Sequence, residues 1–302
     1  CEHFCTGRAS DSSRDHSVFR GGNVLLHRRN QMRAGISGTD GIRGISGNHV
    51  LLSPDFSGSV HDRAGAEAGI VVLVTGIVSG VLMIVTGAKL LKQKYQIPGF
   101  YIDVPYEKNQ DSISYVADQL REMKKFLEDV TGKKISEQSV QRAVANSNEA
   151  ASYYSRQLAL RKDHDPVTSL TNELYAIFMC HLLAGSQESL KYTKMLLEDV
   201  KKAPKGEGLH ILWMHMMPFL QEPVKDVFNY SQNVHISACD FVADGFQRMQ
   251  PADPYEALAE KMVNCIYNGS VKQRIRRAQE LANLTEVDGG ILFAHWGCKG
   301  TI

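Results

Sequence analysis

Short apolar runs of strand length alternate with helix-length segments over the last third of this chain, and that alternation leaves few folds open. Leu209–Met214 (L-H-I-L-W-M), Val234–Ala238 and Gly289–Ala294 are each too short for a helix core. Between them lie helical stretches at Phe219–Tyr230, after the break at Pro218, at Pro254–Tyr267, opened by Asp253 and Pro254, and at Val271–Leu284. Strands separated by helices of this length predict a parallel sheet with right-handed crossovers. Ligands of such sheets bind beyond the carboxyl ends of the strands. The last run leads straight into A-H-W-G-C-K-G, which puts Cys298 at that edge with Gly297 and Gly300 beside it. Glycines let the backbone turn sharply and come close to a ligand. A thiolate there serves as a metal ligand or a nucleophile; the plainer alternative is a small apolar residue in a loop.

Upstream, Ile97–Val104 (I-P-G-F-Y-I-D-V) reads as a strand closed by Pro105. Four helices follow. Asp111–Val130 carries Ile113, Val116, Leu120, Met123 and Leu127 on one face and stops at Gly132. Ser136 is an N-cap for a long helix over Ser139–Lys162, Asp165 and Pro166 open Val167–Leu183, and Gln187–Lys202 is the fourth. Together they predict a helical layer on the α/β core. Cys180 sits in an apolar helical face and Cys265 on a helix, so both read as core residues. Cys239 ends a strand on the same sheet edge as Cys298, where it is a candidate ligand or pocket residue or else merely buried. His210 and His215, five apart on one strand, face opposite sides, which disfavours a shared metal.

Composition sets a boundary inside the chain. The first 88 of the 302 residues contain no Lys and no Tyr, whereas residues 89–302 hold all 18 Lys and all 11 Tyr. Fourteen of the 25 glycines fall in those 88 residues, and all eight basic residues there are Arg. Residues 1–65 show no sustained helical or strand period, which predicts loop or disorder. Cys1 and Cys5, with His3 between them, form a metal half-site without a second half. The glycine spacing of Gly35–Gly47 fits a flexible loop, since it lacks the Pro of collagen. Ala68–Ala88 is an uncharged run of 21 residues containing Gly76 and Gly80 as G-x-x-x-G and followed by Lys89, Lys92 and Lys94. Its length suits a membrane span, its Val, Ile and Thr content suits buried strand, and its setting suits a segment with no selected role. Three regions follow: an aberrant segment 1–88, a partial α/β half with the helical layer at 89–204, and a second α/β half at 205–302. With 34 basic and 33 acidic residues the chain carries no nucleic-acid footprint.

Three motifs carry a resemblance. Y-Q-I-P-G-F-Y-I-D-V-P-Y at Tyr95–Tyr106, P-A-D-P-Y-E-A-L-A at Pro251–Ala259 and above all H-W-G-C-K at His295–Lys299 resemble the 2-hydroxyacyl-CoA dehydratase family, which includes the benzoyl-CoA reductase subunits. The match runs from about Lys89 to Ile302. It implies flavodoxin-like parallel-sheet halves, incomplete at both ends of this chain, with a 4Fe-4S cluster held by three cysteines between them. It makes Cys298 a cluster ligand and Cys239 a weaker candidate, and His295 either a donor to a thioester carbonyl or cluster sulfide or a structural histidine. The family's other cluster cysteines lie mostly upstream of the match, so a complete ligand set is not expected here.

By the resemblance, the chemistry is loss of water from a 2-hydroxyacyl-CoA. One electron added to the thioester carbonyl gives a ketyl radical that expels hydroxide and acidifies the β C–H. An iron left open by a three-cysteine cluster adds Lewis-acid activation. The resemblance also implies a paralogous second subunit, a separate ATP-dependent iron–sulfur activator and a cytoplasmic setting. In agreement, the chain has no phosphate-binding loop, neither G-x-x-x-x-G-K-[ST] nor a convincing G-x-G-x-x-G. Arg274, Arg276 and Arg277 either meet the phosphates of coenzyme A or form a solvated helix face. Other readings are a cluster-less, non-catalytic or membrane-tethered fragment, a benzoyl-CoA-reductase-type activity, and a Cys298 nucleophile with His295 as base.

Overall fold

Local sequence explains most of the helix ends. The computed structural model describes residues 71–75, 96, 98–215, 218, 221–250 and 252–294. Helix α1 (Gln110–Thr131) starts where the Asn109 side chain accepts the Ser112 N–H at 2.8 Å and ends at Gly132, whose φ of 68° is left-handed. That conformation costs glycine little. The expected stripe is inward: Val116, Ala117, Leu120 and Met123 are buried, with Ile113 and Leu127 packed beside them. Ser136 caps α2 (Glu137–Leu160), as expected, accepting from Ser139 N at 3.2 Å. Helix α3 (Leu170–His181) begins later than its Asp165–Pro166 signal, at Ser169. Asp165 is engaged elsewhere: its carboxylate accepts Gly206 N at 2.7 Å and meets His210 Nε2 at 2.9 Å. Helix α4 spans Gln187–Lys202, capped by Ser186.

The strands form two parallel sheets. In the first, β1 (Val71–Thr75) pairs with β2 (Gly99–Asp103). β1 falls inside the apolar run 68–88, so those five residues are strand. The rest of that run lies outside the described residues, as do Cys1, Cys5 and the Gly35–Gly47 repeat. No helix among the described residues is long and apolar enough to cross a membrane. The second sheet contains β3 (Leu209–His215), β4 (Val234–Cys239) and β5 (Gly289–Phe293) in the order β4-β3-β5, both pairings parallel. The three strands expected to share a sheet therefore do so, with the first in sequence at its centre.

Connections differ from expectation where tertiary contacts intervene. Helix α5 (Glu222–Phe228) is shorter than Phe219–Tyr230: Tyr230 turns to a φ of 53°, and its N–H donates to Thr168 O at 2.9 Å. A short helix, α6 (Asp240–Gly245), follows β4 directly and has no periodic signal in the sequence. Helix α7 (Pro254–Asn264) is capped by Asp253 but stops before Tyr267, because Lys108 Nζ takes the carbonyls of Asn264 and Cys265 at 3.1 Å each. A single turn, Ile266–Asn268, leads to Ser270, which caps α8 (Val271–Thr285) in a capping box with Gln273.

Two apolar cores result. One surrounds the three-stranded sheet, with fully buried Trp213 and Leu281 and with Tyr154, Leu158, Cys180 and Phe246. The other joins β2, α1 and α7 through Ile102, Leu120, Met123, Tyr255 and Met262. Helix α2 serves both, with Val140 in the second core and Ala150, Tyr154 and Leu158 in the first. The four consecutive helices are thus divided between two cores.

Candidate functional site

A parallel sheet aligns the carboxyl ends of its strands on one edge, and here those ends are His215, Cys239 and Phe293. His215 leaves β3 with a φ of 70°, a conformation uncommon for a non-glycine residue and held here by its neighbours. The constraint is visible: its N–H donates to Asp240 Oδ1 at 2.8 Å, and its buried ring lies 5.8 Å from Tyr267 and 6.3 Å from Phe241. The Arg274 guanidinium stands 4.8 Å over the Tyr267 ring, a cation–π contact. Phe241 in turn lies 4.8 Å from Tyr267 and 5.4 Å from His181. Burial raises the Asp240 carboxyl above its usual range; the His215 N–H, the Tyr267 hydroxyl and the Arg274 charge oppose that shift.

This cluster of His215, Asp240, Phe241, Tyr267 and Arg274 was missed by sequence reasoning. The one available signal was an acid directly after a strand, in H-I-S-A-C-D. Tyr267 reaches the cluster from the single turn after α7, and Arg274 from α8. The arginine trio is divided: Arg274 turns toward Tyr267, Arg277 Nη1 pairs with Glu280 Oε2 at 3.2 Å, and Arg276 is exposed.

Cys239 stands at the end of β4 as expected, but it is buried and belongs to the sheet's apolar core. Burial pushes its thiol well up, only partly offset by the Val242 and Phe241 N–H groups at the start of α6. Cys180 is likewise buried, with its thiol raised to about 12 mainly by burial. Cys265 is buried too, and its Sγ donates to Asp244 Oδ2 at 3.1 Å. Metal binding needs a thiolate, which such surroundings disfavour. Among the described residues no three His, Cys, Asp or Glu side chains converge as a metal would require. They do not by themselves fit a 4Fe-4S cluster. His295 and Cys298 follow β5 in the sequence and lie outside the described residues. His210 and His215 do not share a site, since His210 lies between Asp165 and Asp288 at 2.9 and 3.5 Å while His215 joins the Asp240 cluster.

Residues 87–301 match the family model described as 2-hydroxyglutaryl-CoA dehydratase, D-component. The chain belongs to that family. The (R)-phenyllactyl-CoA dehydratase alpha subunit of Clostridium sporogenes is 25% identical over 222 residues, covering 67% of this chain and 52% of that protein. The chain thus spans about half the length of this curated relative. The match includes β2, both cores and the three-stranded sheet, so the Asp240 cluster belongs to the dehydratase-family part of the chain.

Proposed function

We propose that this chain is a component of a 2-hydroxyacyl-CoA dehydratase and works with a second, related subunit. Family membership over residues 87–301 is the observation that carries the reading. The named relative is an alpha subunit, which supports a multi-subunit enzyme. The finer reading is elimination of water through a ketyl radical, on an acyl-CoA, with the electron supplied by an ATP-dependent activator. The two sheets are then the flavodoxin-like halves. The order β4-β3-β5 supports this, because second-first-third is how the flavodoxin order begins, with its ligand crevice between the first and third strands. Cys298, a few residues beyond β5 in the sequence, is the cluster ligand this chain contributes, and the remaining ligands come from elsewhere. His295 is the nearby polar candidate. The two halves are then 89–204 and 205–302, and the first sheet also takes in residues 71–75 through β1.

Iron uptake tests the ligand assignment. Anaerobically reconstituted with iron and sulfide, the chain should hold iron well below the level of a full 4Fe-4S cluster. Cys298→Ala should remove most of that iron, and Cys239→Ala should leave it in place. Equal iron in wild type and Cys298→Ala would refute the assignment.

A further inference from the structure

An open cleft of about 370 Å³ lies between α2, the segment 246–248 after α6, and α8. That size falls within the range of about 300–1,000 Å³ usual for small-molecule sites. None of its lining residues belongs to the Asp240 cluster, and of the ligands considered below only coenzyme A rests on the dehydratase reading. The wall is fixed in advance. Met249 N donates to Asn148 Oδ1 at 2.8 Å and Asn148 Nδ2 to Met249 O at 3.1 Å, which pins the segment to α2. Tyr154 and Phe246, both buried, stack behind it with ring centroids 4.5 Å apart.

Two arginines line this cleft from different elements. Arg248 is exposed beside the pinned Met249 and joins no ion pair among the described residues. Arg277 comes from α8; its Nη1 donates to Glu280 Oε2 at 3.2 Å, and its Nε is buried with no acceptor among the described residues. A partly exposed pair such as Arg277–Glu280 contributes little stability, so giving it up for a better anion costs little. Gln247 also lines the cleft, and its amide meets the buried Asp244 carboxylate, whose carboxyl burial raises above the usual range. Negative charge in the walls is therefore Glu280, already shared with Arg277, and the buried Asp244 beneath.

We propose that this cleft binds a phosphate-bearing ligand, with Arg248 and Arg277 donating to phosphate oxygens from opposite walls. A guanidinium presents paired N–H donors in a plane, which matches two phosphate oxygens at once. The ligand's phosphate replaces Glu280 on Arg277. The source is either the nucleotide end of coenzyme A or a free nucleotide.

Isothermal titration of the full chain with inorganic pyrophosphate, ADP, coenzyme A and adenosine tests this. Pyrophosphate and ADP should bind, and adenosine, which lacks phosphate, should not. Arg248→Gln and Arg277→Gln should each weaken pyrophosphate binding about tenfold or more, the scale of a lost charge-assisted hydrogen bond. Arg276→Gln, on the same helix but outside the cleft, should bind as wild type does. Coenzyme A competing with ADP at similar affinity identifies its nucleotide end as the source; ADP binding with coenzyme A excluded identifies a free nucleotide. Absence of binding by every phosphate compound would overturn the proposal, as would wild-type binding by both Arg248→Gln and Arg277→Gln. Arg248 is exposed, so its variant stays informative even where Arg277→Gln perturbs folding.

Discussion

Replacing Arg161 by Met should destabilise the protein by ~3 kcal/mol, because the arginine joins three elements from a buried position. Only 4% of its side chain is exposed, and it closes α2. Its Nε donates to Gln157 Oε1 at 3.0 Å, its Nη1 to Ile236 O on β4 at 3.2 Å, and Nη1 and Nη2 both reach Glu173 Oε1 on α3 at 3.2 Å. Methionine fills much of the volume and removes every donor. Taking one partner from a buried ion pair costs about 3–5 kcal/mol, since the other charge stays buried. Glu173 keeps 16% of its side chain exposed, so water reaches it and the lower end of that range applies. With a urea m-value of about 3 kcal/mol/M, the unfolding midpoint should fall by about 1 M. Arg161→Met with Glu173→Leu should lose less than Arg161→Met alone, because the stranded carboxylate is gone. A single-variant loss under about 1 kcal/mol, or a double variant no better than the single, would refute this account.

Gly208→Ala should cost more than the about 1 kcal/mol typical of a glycine change, because φ there is 110° and a Cβ would sit 2.2 Å from Asn233 O; thermal unfolding at or near the wild-type temperature would count against the strand-start geometry. Stability should also decline as pH rises from the ordinary aspartate value of 3.8 through the higher folded values of Asp240 and Asp244, whose carboxyls burial raises. The sign follows because the folded state then holds more protons than the unfolded one, so raising pH favours unfolding. In urea titrations across that window Asp240→Asn and Asp244→Asn should each show a shallower decline than wild type, and parallel curves would contradict the burial argument.

Elements governed by near neighbours were legible in the residues. The α1 stripe, the stop at Gly132, the Ser136 cap and the bounds of α4 each depend on contacts within a few positions. The candidate site was only partly legible. Cys239 was placed at its strand end with burial left as one alternative, and its enclosure by the apolar core came only from the fold. A strand end exposes or covers a thiol according to the helix that follows, and α6 has no periodic signature.

Sequence alone determined the parallel α/β character, the three strands of one sheet and the family motifs, because alternation and capping are written at short range. Tertiary structure decided which strand lies at the centre, the division of the helices between two cores and the assembly of His215, Asp240, Tyr267 and Arg274. It also decided the pairing of β1 with β2 and the diversion of Asp165 from helix cap to His210. Each of these joins residues far apart in the chain. A buried carboxylate or thiol takes its protonation from the neighbours that folding brings, and the residue itself carries no mark of them.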